Sequence, residues 1–217
     1  MPRTAVFGGS FNPIHYGHLL LADDLLEILS LDRVLFVPAK HPPHKDPTRL
    51  ALPEDRLAMV RLATQGHRGF EVSDMELARP GPSFTVDTLS ALSQPGETLF
   101  LIVGSETFLD LLSWRDPRRV VRLARVVIVP RVGSPFDTDS EAAQKVLREL
   151  GVDDGFSSVD GGRVPSRGVI VSAAASMPIS ASELRRRVRE GRSLSFRLPP
   201  AVEDYIRVHG LYREAPG

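Results

Sequence analysis

Two histidines near the start of the chain have the spacing and surroundings of a phosphate-binding site. They stand three residues apart, behind a glycine pair, in the run Gly8-Gly9-Ser10-Phe11-Asn12-Pro13-Ile14-His15-Tyr16-Gly17-His18. Glycines let a turn approach a ligand because no Cβ is in the way, and the N–H groups of such a turn form an anion site with the helix that follows. At the start of that helix, His15 and His18 would face the same phosphates. The alternative is a tight turn with two solvated histidines.

A second candidate phosphate site lies near the end of the chain, in the run Ile179-Ser180-Ala181-Ser182-Glu183-Leu184-Arg185. Ser180 and Glu183 have the spacing of a capping box, which predicts that a helix begins here. The hydroxyls of Ser180 and Ser182, the free N–H groups and the Arg185 guanidinium would then cluster in its first turns. The alternative is a capped helix with a solvated basic face. If the two candidate sites meet in space, they could hold one triphosphate from two sides.

The elements that must position these residues alternate between strands and helices. Apolar runs predict strands at Ala5–Gly8, Val34–Pro38, Phe70–Ser73, Leu99–Val103, Arg125–Pro130 and Val169–Ser172. Helical spacing and capping signals predict helices at Tyr16–Ser30, Glu54–Thr64, Phe84–Leu92, Phe108–Leu112, Arg118–Leu123, Ser140–Leu150, Ser180–Glu190 and Pro200–Val208. Segments 39–53 and 151–168 are predicted to be loops, the second a mobile one.

This order predicts an α/β fold with a doubly wound, mostly parallel sheet, which binds ligands at the carboxyl ends of its strands. The first candidate site lies where the first strand meets the first helix. We expect a single domain over residues 1–217, with roughly the last 40 residues forming closing helices.

Composition excludes several classes of protein. The 217 residues include 27 Lys plus Arg and 27 Asp plus Glu, so no overall basic field favours nucleic acid. There is no cysteine, which excludes disulfides, thiolate nucleophiles and cysteine-based zinc sites. We expect a cytoplasmic protein with no signal peptide, no membrane span and no nucleic-acid partner. The oligomeric state is not determined, and a homo-oligomer stays open.

The common nucleotide and zinc motifs are also missing. The chain contains no G-x-x-x-x-G-K-[ST], no G-x-G-x-x-G and no H-E-x-x-H. Any nucleotide chemistry must therefore use a different phosphate site, such as the two described above.

The first run resembles the H-x-G-H signature of the nucleotidylyltransferase superfamily. The second resembles that superfamily's I-S-[ST]-[ST]-x-x-R signature, from which Ala181 departs by losing one hydroxyl. The resemblance implies a Rossmann-like fold, ATP phosphates held by His15 and His18, and a transition state stabilised by His18. It implies catalytic roles for His18, Arg185 and His15, and ATP contacts from Gly8, Gly9, Ser10, Phe11, His15, His18, Ile179, Ser180, Ser182 and Arg185.

Further runs resemble bacterial nicotinate mononucleotide adenylyltransferases. They follow that family's order and are Pro38–Lys45, Glu54–Met59, Pro82–Leu89, Gly104–Glu106, Leu112–Trp114 and Val129–Arg131. Lys45 and Arg131 would contact ATP, with solvated charges as the alternative. The residues implied to bind the pyridine nucleotide are Phe84, Thr85, Gly104, Glu106 and Trp114.

One of these five residues departs from the family's pattern, and two have an alternative structural role. Glu106 is one methylene longer than the family's aspartate. Thr85 could instead be a helix cap, and Trp114 could instead be core.

The resemblance implies adenylyl transfer from ATP to nicotinate mononucleotide in NAD biosynthesis, giving nicotinate adenine dinucleotide and pyrophosphate. Mg²⁺ would arrive with ATP and would need no dedicated protein ligands. Two related activities stay open. The first is adenylylation of nicotinamide mononucleotide, either as the sole substrate or together with nicotinate mononucleotide. The second is adenylylation of pantetheine phosphate.

Two readings from other classes are weaker. His15, His18, His41 and His44 could form a metallohydrolase site, but the second pair lies in a proline-rich loop that fixes geometry poorly. The arginines from Arg185 to Arg192 could bind RNA, but the zero net charge and the few aromatic residues argue against it.

Overall fold

Seven parallel strands form one sheet in the part of the chain that the structure, a computed structural model, describes. That part comprises residues 1–42, 46–130, 133, 136–159, 164–165, 168–174 and 177–213. The strands are β1 (Arg3–Gly9), β2 (Arg33–Pro38), β3 (Phe70–Val72), β4 (Thr98–Gly104), β5 (Arg125–Val129), β6 (Phe156–Ser157) and β7 (Val169–Val171). Their order across the sheet is β3-β2-β1-β4-β5-β7-β6.

Helices flank this sheet and confirm the predicted α/β class. They are α1 (Tyr16–Ile28), α2 (Pro53–Thr64), α3 (Met75–Ala78), α4 (Thr85–Leu92), α5 (Ser105–Leu109), α6 (Pro117–Leu123), α7 (Glu141–Leu150), α8 (Ala181–Arg189) and α9 (Pro200–Val208). Two short 3₁₀ helices cover Pro47–Arg49 and Leu111–Ser113. None of the helices described is long and apolar enough to cross a membrane.

Helices cover both faces of the sheet. Successive residues of a strand point to opposite sides, so each strand contributes to two apolar clusters. Ala5, Phe36 and Ile102 belong to one apolar cluster, which also contains Leu25 of α1 and residues of α8 and α9. Their strand neighbours belong to a second cluster on the other face, with residues of α4, α6 and α7; these neighbours include Val6, Leu35, Val37, Leu101 and Val103.

The chain reverses its direction of winding between β1 and β4. From β1 it moves outward through β2 to β3, and it then returns to place β4 on the other side of β1. The loops after β1 and β4 therefore diverge to opposite faces and leave a crevice at the carboxyl ends of these strands. Doubly wound sheets bind ligands in such a crevice.

The structure differs from the sequence prediction mainly in short elements. Strand β6 lies in the segment predicted to be a mobile loop, and it forms by pairing Phe156 with Val169 of β7. Helix α3 and the 3₁₀ turn Pro47–Arg49 were not predicted. The helix expected at 108–112 is instead α5 followed by a 3₁₀ turn. Elements this short depend on tertiary partners, because periodicity needs a longer segment to be recognised.

Candidate nucleotide-binding site

A cleft of about 430 Å³ opens at the crevice between β1 and β4. Its floor is formed by the carboxyl ends of three adjacent strands, and its walls by the loops that follow them. A Cβ built on Gly8 would meet no protein atom within 4 Å, so the space beside that backbone is open to a ligand. Residues lining the cleft include Gly8, Gly9, Ser10, Val37, Phe84, Thr85, Leu101, Val103, Gly104, Thr107, Ser113, Trp114 and Arg115.

The two histidines lie together at the start of α1, as predicted. His15 is the N-cap residue, and its ring stacks on that of His18 with centroids 3.8 Å apart. The backbone N–H of His15 donates to Nδ1 of His18 at 3.3 Å. Because Nδ1 accepts, a neutral His18 carries its proton on Nε2, and that nitrogen can donate to an anion.

His15 is nearly fully buried, with 5% of its surface exposed. This burial lowers the pKa of the imidazole to about 4, so the ring is neutral at pH 7. Its Nδ1 atom is buried and has no hydrogen-bond partner among the residues that the structure describes. A Cβ on Gly17 would lie 3.0 Å from that same atom, so a larger residue at this position would crowd the buried ring.

The two signature runs meet in space. Nη1 of Arg185, on α8, donates to the backbone carbonyl of Asn12 at 2.7 Å, although the two residues are 173 positions apart. Ile179 also lies close to the start of α1, because a Cβ on Gly17 would be 3.7 Å from the Cβ of Ile179. The two predicted phosphate sites therefore lie next to each other, beside the β1–β4 crevice.

Helix α8 begins as its sequence predicts. Ser180 is the N-cap residue, and its Oγ accepts from the backbone N–H of Glu183 at 3.3 Å. The Glu183 carboxylate accepts from Nε of Arg186 at 2.9 Å. The Ser180 and Ser182 hydroxyls are exposed and 3.2 Å apart. These hydroxyls and Arg185 thus share the first turns of α8, where the helix favours an anion.

Phe11 occupies a different position from the other residues of the first run. Its side chain is 2% exposed and packs edge-on against His18, with ring centroids 5.2 Å apart. The backbone of Phe11 has a φ of +43°, in the left-handed region, which turns the ring into the core. The Phe11 ring therefore packs against His18 within the core, and only the backbone of Phe11 can contact a nucleotide.

Asn12 and Arg56 organise this region, and the sequence did not single them out for it. The side chain of Asn12 donates to the carbonyl of Arg49 at 3.0 Å and accepts from Ala51 N–H at 3.0 Å and Tyr212 hydroxyl at 2.9 Å. Burial raises the pKa of Tyr212 well above its usual range, so its hydroxyl keeps the proton that it donates.

Arg56 is fully buried, and its guanidinium donates to four backbone carbonyls at 2.7–3.1 Å. The acceptors are Ala51, Ser10, Ala39 and Lys40. It thereby ties the Gly8–Ser10 turn to the loop after β2. Arg56 lies in a run that resembles the family, but nothing in the sequence indicated its burial.

Replacing Arg56 with methionine should lower the free energy of unfolding by at least ~3 kcal/mol, because it leaves several buried carbonyls without donors at ~1–3 kcal/mol each. Arg61→Met on the same helix is the matched control. Arg61 is exposed and pairs with Asp74 at 3.1 Å, so its loss should cost no more than ~1 kcal/mol. Urea unfolding monitored by circular dichroism measures both. Equal effects of the two substitutions would contradict the role given to Arg56.

Four of the five residues expected to bind the pyridine nucleotide line the cleft. Helix α4 begins at Thr85, and its N-cap residue is Phe84, so Thr85 is not the cap. Trp114 is half-buried, both packing on the second cluster and lining the cleft. Gly104 lines the cleft at the end of β4, whereas Glu106 is exposed in the first turn of α5 and does not line it.

Glu76 is a further cleft residue that the sequence did not reveal. It is 7% exposed and accepts from the Thr88 hydroxyl at 2.6 Å, and burial raises the pKa of its carboxyl. It thereby joins α3 to α4 beneath Phe84 and Thr85.

Two predicted ATP contacts, Lys45 and Arg131, lie outside the described residues, as does His44. The metallohydrolase reading needs several ligands close together. Among the residues that the structure describes, no group of three or more His, Cys, Asp or Glu side chains has the arrangement of a metal site.

The parallel sheet, the cleft at its switch point and the anion donors around it define an α/β nucleotidyltransferase of the Rossmann-like class. The chain belongs to the cytidylyltransferase-like family, whose model matches residues 6–187.

Individual relatives are similar over nearly the whole chain. A Thermus thermophilus protein described as "Probable nicotinate-nucleotide adenylyltransferase" is 43% identical over 213 residues, which cover 97% of this chain and 100% of the relative. A protein of Roseiflexus sp. (strain RS-1) with the same description is 42% identical over 96% of each chain.

The fold also matches solved structures. The nicotinic acid mononucleotide adenylyltransferase of Plasmodium falciparum, solved in complex with NaAD, superposes with a TM-score of 0.72 at 19% sequence identity, over 98% of each chain. At this identity the match supports the fold.

Proposed function

We propose that the protein transfers AMP from ATP to nicotinate mononucleotide, giving nicotinate adenine dinucleotide and pyrophosphate in NAD biosynthesis. The observation that carries the proposal is the hydrogen bond between Arg185 and the Asn12 carbonyl, because it joins the two phosphate sites at the edge of one cleft. The names of the relatives support the choice of substrate. Both faces of the sheet pack against helices, which supports the whole chain acting as one domain.

In the proposed reaction a phosphate oxygen of nicotinate mononucleotide attacks the α-phosphorus of ATP. The bond from that phosphorus to the bridging oxygen breaks, and pyrophosphate leaves with the electron pair. The attacking oxygen is already an anion, so no general base is needed. Catalysis then consists of positioning and charge stabilisation.

Each residue of the site has a role that fits its geometry. His18 donates from Nε2 to the developing charge at the α-phosphate, and Arg185 adds a cation there. His15 is neutral and holds the β- and γ-phosphates with Ser180 and Ser182. Mg²⁺ would arrive bound to ATP and would neutralise part of the triphosphate charge.

Pyrophosphate release tests the proposal directly. Purified protein should release pyrophosphate only when ATP, Mg²⁺ and a pyridine mononucleotide are all present, and the dinucleotide should appear in equal amount by chromatography. Pantetheine phosphate in place of the mononucleotide is the control and should give no product. If pantetheine phosphate gives product and the pyridine mononucleotides do not, the proposed substrate is wrong. ATP hydrolysis without any acceptor would also contradict the proposal.

A further inference from the structure

The half of the cleft around Trp114 and Phe84 carries one cationic side chain in the part of the chain that the structure describes. Among the described residues that line the cleft, Arg115 is the only arginine or lysine. The only other charged residue there is Glu76, whose carboxylate already accepts from the Thr88 hydroxyl. An anionic group entering this half of the cleft has Arg115 as its charged partner.

The backbone of Arg115 is fixed on both sides. Trp114 ends the 3₁₀ helix Leu111–Ser113 in an extended conformation. Asp116 has a φ of +47° and caps α6 by accepting from the Arg119 N–H at 3.3 Å. The position of Arg115 beside Trp114 is thus set by two helix ends, although its own side chain is 60% exposed.

The guanidinium of Arg115 is directed by two contacts at the cleft wall. Its central carbon lies 4.9 Å from the centre of the Phe84 ring, and Nη1 lies 3.6 Å from a carboxylate oxygen of Asp87. An exposed ion pair of this length is weak. A guanidinium stacked on an aromatic face keeps its N–H edge available for a planar carboxylate.

We propose that Arg115 binds the carboxylate on the pyridine ring and is a residue that determines the specificity of this enzyme for an acid over its amide. The inference rests on the proposed function and deepens it. The ring lies between Trp114 and Phe84, and its carboxylate accepts two N–H bonds from the guanidinium. An amide offers one oxygen, and its NH₂ group faces donors that it cannot pair with. In this proposal Arg115 contacts the ring substituent and not the reacting phosphates, so it affects which substrate binds and leaves the chemistry unchanged.

Arg115→Gln should lower kcat/KM for nicotinate mononucleotide by about 10-fold or more, the lower end of what a charge-assisted hydrogen bond contributes at a half-exposed site. The loss should appear in KM, with kcat retained. The value for nicotinamide mononucleotide should stay close to that of the wild type, so the ratio of the two falls by the same factor. Arg119→Gln is the matched control, because Arg119 is exposed four residues away and does not line the cleft.

The outcomes separate this inference from the proposed function. If the wild type prefers nicotinate mononucleotide and Arg115→Gln keeps that ratio, the inference is wrong and the proposed function stands. An equal loss with both mononucleotides would show a structural role and would also overturn the inference. If the wild type adenylylates neither mononucleotide, the proposed function fails and the inference fails with it.

Discussion

Replacing His18 or Arg185 with alanine is expected to lower kcat by ~10²–10³-fold, the usual cost of removing one preorganised donor to a developing charge. Both donors are held in place before substrate binds. The backbone N–H of His15 fixes the His18 tautomer, and the Asn12 carbonyl fixes the Arg185 guanidinium. The loss should fall mainly on kcat, with KM for ATP little changed, because the contacts strengthen in the transition state.

Two control variants test whether the loss of any arginine or histidine would lower kcat in the same way. Arg186→Ala removes the neighbouring arginine, which is exposed and pairs with Glu183 and Glu190. His67→Ala removes a histidine from the surface, where it pairs with Asp23. Both should keep the turnover of the wild type. If His18→Ala or Arg185→Ala is folded by circular dichroism and also keeps near-full kcat, the role assigned to that residue is wrong.

Nicotinate mononucleotide is expected to be preferred over its amide by at least ~10²-fold in kcat/KM. Sites built around one hydrogen-bonding pattern can reject a mispaired analogue by ~10⁴ or more, and a bound water or a rotated amide recovers part of that difference. Both substrates carry the same ribose phosphate and the same pyridinium ring, so the phosphate sites and stacking on Trp114 cannot separate them. Only the ring substituent differs.

The structure places suitable donors at that end of the cleft. Thr85 is the first residue of α4, where backbone N–H groups lack helical acceptors and the helix favours an anion. Initial rates of pyrophosphate release with each mononucleotide at equal ATP measure the preference. Near-equal values would indicate a dual-specificity enzyme and would contradict the placement of the carboxylate beside Thr85 and Trp114.

Local signals in the sequence were sufficient for most of the secondary structure. Apolar runs predict every strand except β6, which is the shortest of the described strands, with two residues, and has no apolar run of its own. The start of α8 was predicted because Ser180 caps it, an interaction between residues three positions apart. The two phosphate-binding runs could be read in the same way, since glycines, histidines and hydroxyls in one turn act through local geometry.

Contacts between distant residues could not be predicted, because a sequence pattern does not specify which segments meet. Arg56 looks like an exposed helix charge in the sequence, yet four carbonyls from three segments surround it. Phe11 lies in a ligand-binding run, yet its ring belongs to the core. The low pKa of His15 also depends on burial, which is a property of the folded chain.

The sequence by itself determined the class of the fold, the two runs for which we propose phosphate binding, and the family that they resemble. Only the tertiary structure decided that these runs meet, through a bond between residues 173 positions apart, and that the first of them lines a cleft at the switch point of the sheet. It also decided that Arg115 lines the cleft and that Glu106 does not. The physical reason is that strand order and helix packing bring distant segments together, and these are set by burial of the whole core on both faces of the sheet.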